Sequence, residues 1–98
     1  MSTAKPLLSG DFVYTPDGTE EFRNARVTLS VGENEAEVLI EPETEMSVSE
    51  LGELLNDIQE NLLQKAHLRQ WDDYRVLLKQ GGKLNVVSVK DTISVRPL

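Results

Sequence analysis

The chain has 98 residues, a formal net charge of −7, 39% apolar residues and no cysteine. This length fits one domain with a single core, and the absence of cysteine excludes disulfides, thiolate metal sites and cysteine nucleophiles. The acidic balance also argues against a broad nucleic-acid-binding surface, because phosphate contacts need a surplus of Lys and Arg.

The first ten residues differ in composition from the rest of the chain. They are mostly small and polar, and Pro6 and Gly10 interrupt them, so we divide the chain into a mobile N-terminal arm, residues 1–10, and one domain, residues 11–98. No stretch is apolar enough for a signal peptide or a membrane helix. We therefore expect a cytoplasmic protein.

Three strands are predicted before residue 43. Residues 11–15 form a short aromatic and β-branched run that ends in a Pro-Asp-Gly turn. Residues 25–31 and 36–40 alternate apolar and polar side chains, which is the period of a half-buried strand. The short polar segment between the last two runs predicts an antiparallel hairpin.

One amphipathic helix is predicted to begin at Ser47. Ser47 and Glu50 have the spacing of a capping box, and acidic residues suit the positive end of the helix dipole. A single apolar stripe follows at helical spacing, formed by Leu51, Leu54, Leu55, Ile58 and Leu62. Burial of this stripe is expected to anchor the fold.

Strand patterns return after the helix. Residues 74–78 alternate, Gly81 and Gly82 mark a turn, and a further strand begins at Leu84. Val87 and Val89 are out of step with Leu84, which predicts a bulge or a strand covered on both faces. We therefore expect an α+β fold of order β-β-β-α-β-β, an antiparallel or mixed sheet of about five strands with the helix packed across it, with a further strand at residues 93–95 as an open alternative.

The order of elements from residue 25 onward, a hairpin, a helix and a second hairpin, resembles the β-grasp of ubiquitin-like domains. The resemblance lies in element order alone, because no residue motif accompanies it. Gly81 and Gly82 fall inside a predicted turn and the sequence ends in Pro97 and Leu98. The resemblance therefore implies a fold and no role in conjugation.

No group of residues has the pattern of a catalytic site. The single histidine, His67, lies in a polar segment near the expected helix end, where capping and surface roles are typical. The tandem acids at residues 20–21 and 72–73 fit solvation and turn formation better than a converging carboxylate pair. We expect no catalytic residues, no metal site and no cofactor, and thus a protein that is not an enzyme.

Charge is distributed unevenly along the chain. Residues 27–64 contain ten acidic residues and no Lys or Arg, whereas the remainder carries seven acids and ten bases. An acidic surface of this kind favours association with a basic partner. We therefore predict a protein–protein interaction module, such as an adaptor, an assembly subunit or an inhibitor, with an acidic face formed by Glu33, Glu35, Glu37, Glu41, Glu50, Glu53, Asp57 and Glu60.

Three alternatives remain open from the sequence. Direct binding of single-stranded nucleic acid would use aromatic stacking and C-terminal cations, namely Trp71, Tyr74, Arg75, Lys79 and Lys83. An inhibitor that mimics nucleic acid would instead present carboxylates to a basic groove. Self-association into a homo-oligomer would pair a free edge strand, either residues 11–15 or the last strand, across a two-fold axis.

Overall fold

The computed structural model describes residues 5–16, 18–31, 36–63, 75–89 and 92–98. This part of the chain forms six strands and one α-helix, which a π-helical turn (Gln59–Leu63) extends. The elements are β1 (Lys5–Tyr14), β2 (Arg23–Val31), β3 (Ala36–Pro42), α1 (Val48–Ile58), β4 (Arg75–Gln80), β5 (Lys83–Ser88) and β6 (Ser94–Pro97). The predicted α+β class is confirmed, but the sheet has six strands where about five were expected.

The strands lie in the sheet in their order along the chain, from β1 to β6. All neighbours are antiparallel except β3 and β4, which are parallel because the chain crosses over through α1 between them. A β-grasp sheet instead forms its parallel pair from the first and the last strand of the two hairpins. The resemblance to ubiquitin-like domains therefore ends at the order of elements.

The N-terminal segment differs from the prediction. The sequence predicts a mobile arm at residues 1–10, whereas residues 5–10 form the first half of β1 and pair with β2, from Lys5 opposite Val31 to Gly10 opposite Val27. Backbone pairing with a long neighbouring strand outweighs the weak strand propensity of Pro, Ser and Gly here. Residues 1–4 lie outside the described residues.

Both predicted hairpins are confirmed. β2 and β3 pair with Val27 opposite Ile40, and β4 and β5 pair with Leu78 opposite Asn85. A two-residue turn joins β4 to β5 through Gly81 and Gly82, whose φ angles are 62° and 73°. Two consecutive positive φ angles fit the twist of a tight hairpin and are open to glycine at little cost.

The helix begins where the capping box predicted. The Ser47 hydroxyl accepts a hydrogen bond from the Glu50 amide at 3.2 Å, and the Glu50 carboxylate accepts one from the Ser47 amide at 2.6 Å. The two bonds satisfy amide groups that the first helical turn leaves without intrahelical partners. In the described part of the chain, no helix is long and apolar enough to cross a membrane.

The core lies between α1 and one face of the sheet. The helix contributes Leu51, Leu54, Leu55 and Ile58, which are all buried. These side chains meet alternate residues of the central strands, which include Ala25, Val27, Leu29, Val38, Ile40, Val76, Leu78 and Val87. The side chain of Leu62, the last member of the predicted stripe, lies outside the described set.

The segment between β3 and α1 is held by polar contacts of buried or partly buried side chains. The Tyr14 hydroxyl donates to the Thr44 carbonyl at 2.9 Å and accepts from the Thr44 amide at 3.0 Å. The Met46 amide donates to the Gln80 side chain at 3.0 Å. These bonds join the last residues of β1 and β4 to the segment that enters the helix, and thereby fix the helix over the core.

Truncation of the helix stripe should destabilise the whole domain. We expect Leu54→Ala to lower the free energy of unfolding by roughly 2–5 kcal/mol, since Leu54 is fully buried and its loss leaves a cavity. Val48→Ala, on the same helix but 52% exposed, should change it by no more than about 0.5 kcal/mol. Urea denaturation followed by circular dichroism measures both, and equal effects would contradict this account of the core.

Candidate interaction surfaces

The two layers give the molecule two opposite broad surfaces. One is the outward side of α1, and the other is the sheet face turned away from α1. We call the second surface the open face and define it by the strand positions that alternate with the core residues, namely Arg26, Thr28, Glu37, Leu39, Glu41, Arg75, Leu77, Lys79, Leu84 and Val86. The one α-helix of the described residues packs on the opposite, core-facing side of the sheet.

An apolar strip runs across the centre of the open face. Leu77 is only 5% exposed, yet it is not part of the core cluster beneath the helix. Its neighbours in register are Leu39 on β3 and Val86 on β5, both half-buried. In register, this strip continues to Thr28 on β2 and to Arg96 on β6, so polar residues flank it on both sides.

Charges of both signs accompany this strip. On one side, Asp11 forms an exposed ion pair with Arg26 at 3.5 Å, and Arg26 lies in register with Glu41. On the other side, Glu37 lies in register with Arg75. The acids of the open face are therefore interleaved with bases from neighbouring strands, and this surface is close to neutral.

The outward side of the helix carries charge of one sign. Glu53, Asp57 and Glu60 are all exposed, and we call these three residues the acidic helix surface. Within the described residues, no Lys or Arg forms an ion pair with any of them. Their spacing of four and three residues places them on one side of the helix, where like charges repel each other.

The predicted acidic face is thus divided between the two sides of the molecule. Glu37 and Glu41 project from β3 on the open face, because their neighbours Val38 and Ile40 are buried beneath the helix. Glu50 is buried at the helix N-terminus, where it caps the first turn. Glu33 and Glu35 lie outside the described residues.

The residues of the nucleic-acid alternative are also spread out. Arg75 and Lys79 are exposed on the open face of β4, where Glu37 and Glu41 of β3 accompany them. Lys83 is exposed at the start of β5, directly after the two-glycine turn. Trp71, Tyr74 and His67 lie outside the described residues.

The end of the connection between β1 and β2 carries an ion pair and an exposed aromatic ring. Glu21 accepts a hydrogen bond from Arg23 and raises the pKa of this guanidinium above its usual value, so Arg23 stays charged. Phe22, between them, is 73% exposed. The pair neutralises itself and does not add to either charged surface.

Sequence reasoning missed the apolar strip on the open face. A signal for it was present, because Leu39 and Leu77 each stand in the middle of three consecutive apolar residues, residues 38–40 and 76–78. Such a run breaks the period of two and indicates a strand with apolar side chains on both faces. The run in β5 has the same cause, so the strand is regular there and has no bulge in its pairing with β4.

No metal-binding cluster of three or more His, Asp or Glu side chains occurs among the described residues. Comparison with known proteins found no matching family model, no matching curated protein and no matching solved structure.

Among the residues of the predicted acidic face, Glu50 has a structural role as part of the capping box. This role should be visible in the free energy of unfolding. We expect Glu50→Ala to lower the free energy of unfolding by about 0.5–2 kcal/mol, because it removes half of the capping box. Glu53→Ala, three residues further along the same helix, should stay within about 0.5 kcal/mol of the parent. Urea denaturation at neutral pH measures both changes. A larger loss for Glu53→Ala than for Glu50→Ala would contradict the assignment of Glu50 as a structural residue.

Proposed function

We propose that the protein is a non-enzymatic interaction module that binds a basic partner protein through the acidic helix surface. The observation that supports this proposal is the uniform charge of the outward side of α1 and of the π-helical turn that extends it, where Glu53, Asp57 and Glu60 are exposed without an ion pair to a described base. The open face, by contrast, interleaves acids with bases. The acidic helix surface is thus the stronger candidate for electrostatic recognition.

Electrostatic physics favours this surface in two ways. Unpaired carboxylates of one sign attract a basic partner over a distance of about 8–10 Å at physiological salt, and so speed its association. Glu53 and Asp57 are four residues apart on the helix, where like charges are destabilising by about 0.2–0.5 kcal/mol. A bound Lys or Arg relieves this repulsion, so binding and helix stability reinforce each other.

An adaptor, an assembly subunit and an inhibitor all fit this mode of binding. A nucleic-acid-mimicking inhibitor is one form of it, in which the partner is a DNA- or RNA-binding protein and the helix carboxylates occupy its basic groove. The dependence of affinity on salt is expected to be steep for such a target and shallower for a partner that also buries apolar side chains.

Two matched variants test the proposal. Glu53→Gln with Asp57→Asn removes two carboxylates from the helix, and Glu37→Gln with Glu41→Gln removes two from the open face, so both change the net charge from −7 to −5. Tagged forms are used to capture partners from a nuclease-treated lysate of the source, and mass spectrometry identifies them. We expect the helix variant to lose a basic partner, or to bind it at least about tenfold more weakly, and the open-face variant to retain it.

Three results would count against the proposal. Equal capture of the partner by both variants would show that the helix carboxylates are not part of the recognition surface. Loss of the partner in the open-face variant alone would move the interface to the sheet. Capture that disappears on nuclease treatment would favour nucleic-acid binding, for which quenching of Trp71 fluorescence by an oligonucleotide is the direct measurement.

A further inference from the structure

The open face carries charges of both signs, whereas the acidic helix surface carries only negative charge. The charges of the open face are arranged so that a second copy of the same face could pair with them. Glu37, Leu39 and Glu41 follow one another on β3 at alternate positions, and Arg75, Leu77 and Lys79 do so on β4. The parallel register sets Glu37 beside Arg75 and Leu39 beside Leu77, and it extends as far as Ile40 beside Leu78. Continued by one residue, the same register brings Glu41 beside Lys79. On the open face, β3 therefore presents an acid, a leucine and an acid, and the neighbouring strand β4 presents a base, a leucine and a base at the same heights.

We infer that two copies of this chain associate through their open faces, with a two-fold axis parallel to the strands between β3 and β4. This operation lays β3 of one copy over β4 of the other and keeps every residue at its own height along the strand. Leu39 then faces Leu77 of the second copy, and Glu37 and Glu41 face its Arg75 and Lys79. Each contact occurs twice, as a symmetric dimer requires.

The geometry of packed sheets is compatible with this arrangement. Aligned sheets pack about 10 Å apart with their strands rotated by roughly 30°, so that each strand is inclined to the two-fold axis by roughly half this angle. β3 and β4 lie next to the axis, so this rotation displaces their facing residues by a few ångströms at most, which the long side chains of Arg75 and Lys79 can span. Leu39, Leu84 and Val86, half-buried in one copy, lose further contact with water in the dimer.

The charges on these strands are available for contacts with a second copy. Glu37, Glu41, Arg75 and Lys79 form no ion pair with another described residue, although Glu37 and Arg75 are neighbours in register. In a dimer each acid lies opposite a base of the second copy as well as beside one of its own. The interface thus leaves no like charges facing each other across the axis.

Both edge strands of the sheet, the other route to self-association, carry features that hinder pairing. The pairing of β1 with β2 shifts register between Pro6 and Leu8, and β6 has four residues and ends at Pro97. Irregular pairing, proline and short length are the devices by which native sheets avoid pairing at their edges. Face-to-face association is therefore favoured over the continuous sheet that pairing of edge strands would form.

The size of the open face predicts a weak dimer. Six strands about 4.8 Å apart and about six residues long outline roughly 500 Å² of sheet, compared with about 800 Å² per partner in interfaces of standard size. Leu77 is already shielded within one copy, which limits the apolar gain. We therefore expect a dimer that forms at micromolar or higher concentration and weakens as salt rises.

Sedimentation equilibrium of the full chain at low salt tests the inference through two charge reversals. Wild type should approach twice its monomer mass of 11.0 kDa as concentration rises. Glu41→Lys and Lys79→Glu should each raise the dissociation constant at least about tenfold, because each sets like charges opposite one another across the axis. An equimolar mixture of the two variants should dimerise like wild type, since both contacts in the mixed dimer again join opposite charges.

Matched controls separate this interface from general effects of charge and folding. Glu20→Lys and Lys83→Glu make the same charge changes in the loop after β1 and at the first residue of β5, and should dimerise like wild type. Circular dichroism checks that every variant is folded. A monomeric wild type at the highest concentration, unchanged dimerisation of Glu41→Lys and Lys79→Glu, or a mixture no tighter than the single variants would each overturn the inference.

Discussion

The packing of α1 against one face of the sheet is the constraint on which the other surfaces depend. Leu54 and Ile58 of the helix lie in one core cluster with Ile40 and Leu78 of the central strands, and all four are fully buried. The same crossover forces β3 and β4 to run parallel, since the chain returns to the sheet from the helix. The helix packs on one face of the sheet. The opposite face, in the described part of the chain, carries both polar and apolar side chains.

Local signals in the sequence were sufficient for the elements near the helix. Ser47 and Glu50 located the helix start, since a capping box is formed by neighbouring atoms and depends little on the rest of the fold. Alternation located β2 and β3 for a similar reason. The first half of β1 was missed because residues 5–10 have weak strand propensity, and they are extended only because β2 offers a partner for their backbone.

The candidate surfaces were harder to predict, although the reason is simple. Glu41 and Glu53 lie in one uninterrupted acidic segment, which predicted one surface. In a two-layer fold, however, a strand residue that points away from the core and a helix residue that points away from it lie on opposite sides of the molecule. Strand order and strand pairing are non-local, so the neighbours of Glu41 on β2 and β4 were also beyond the reach of local patterns.

The separation of the two surfaces has an electrostatic consequence. A helix with its side chains is about 10–12 Å thick, which exceeds the screening length of about 8 Å at physiological salt. Charge at Glu53 and Asp57 is therefore felt only weakly at Glu41 and Lys79, and binding at one surface has little electrostatic effect on the other.

Association through the open faces would also leave both helices on the outside of the dimer, one on each side. The acidic helix surface would then be displayed twice and face opposite directions. A partner with two basic sites would engage both copies only if a linker spans the full thickness of the dimer, so the gain from bivalent binding depends on the length of that linker. Two separate partner molecules, in contrast, would bind the two helices without contact between them, and the dimer would act as a symmetric bridge.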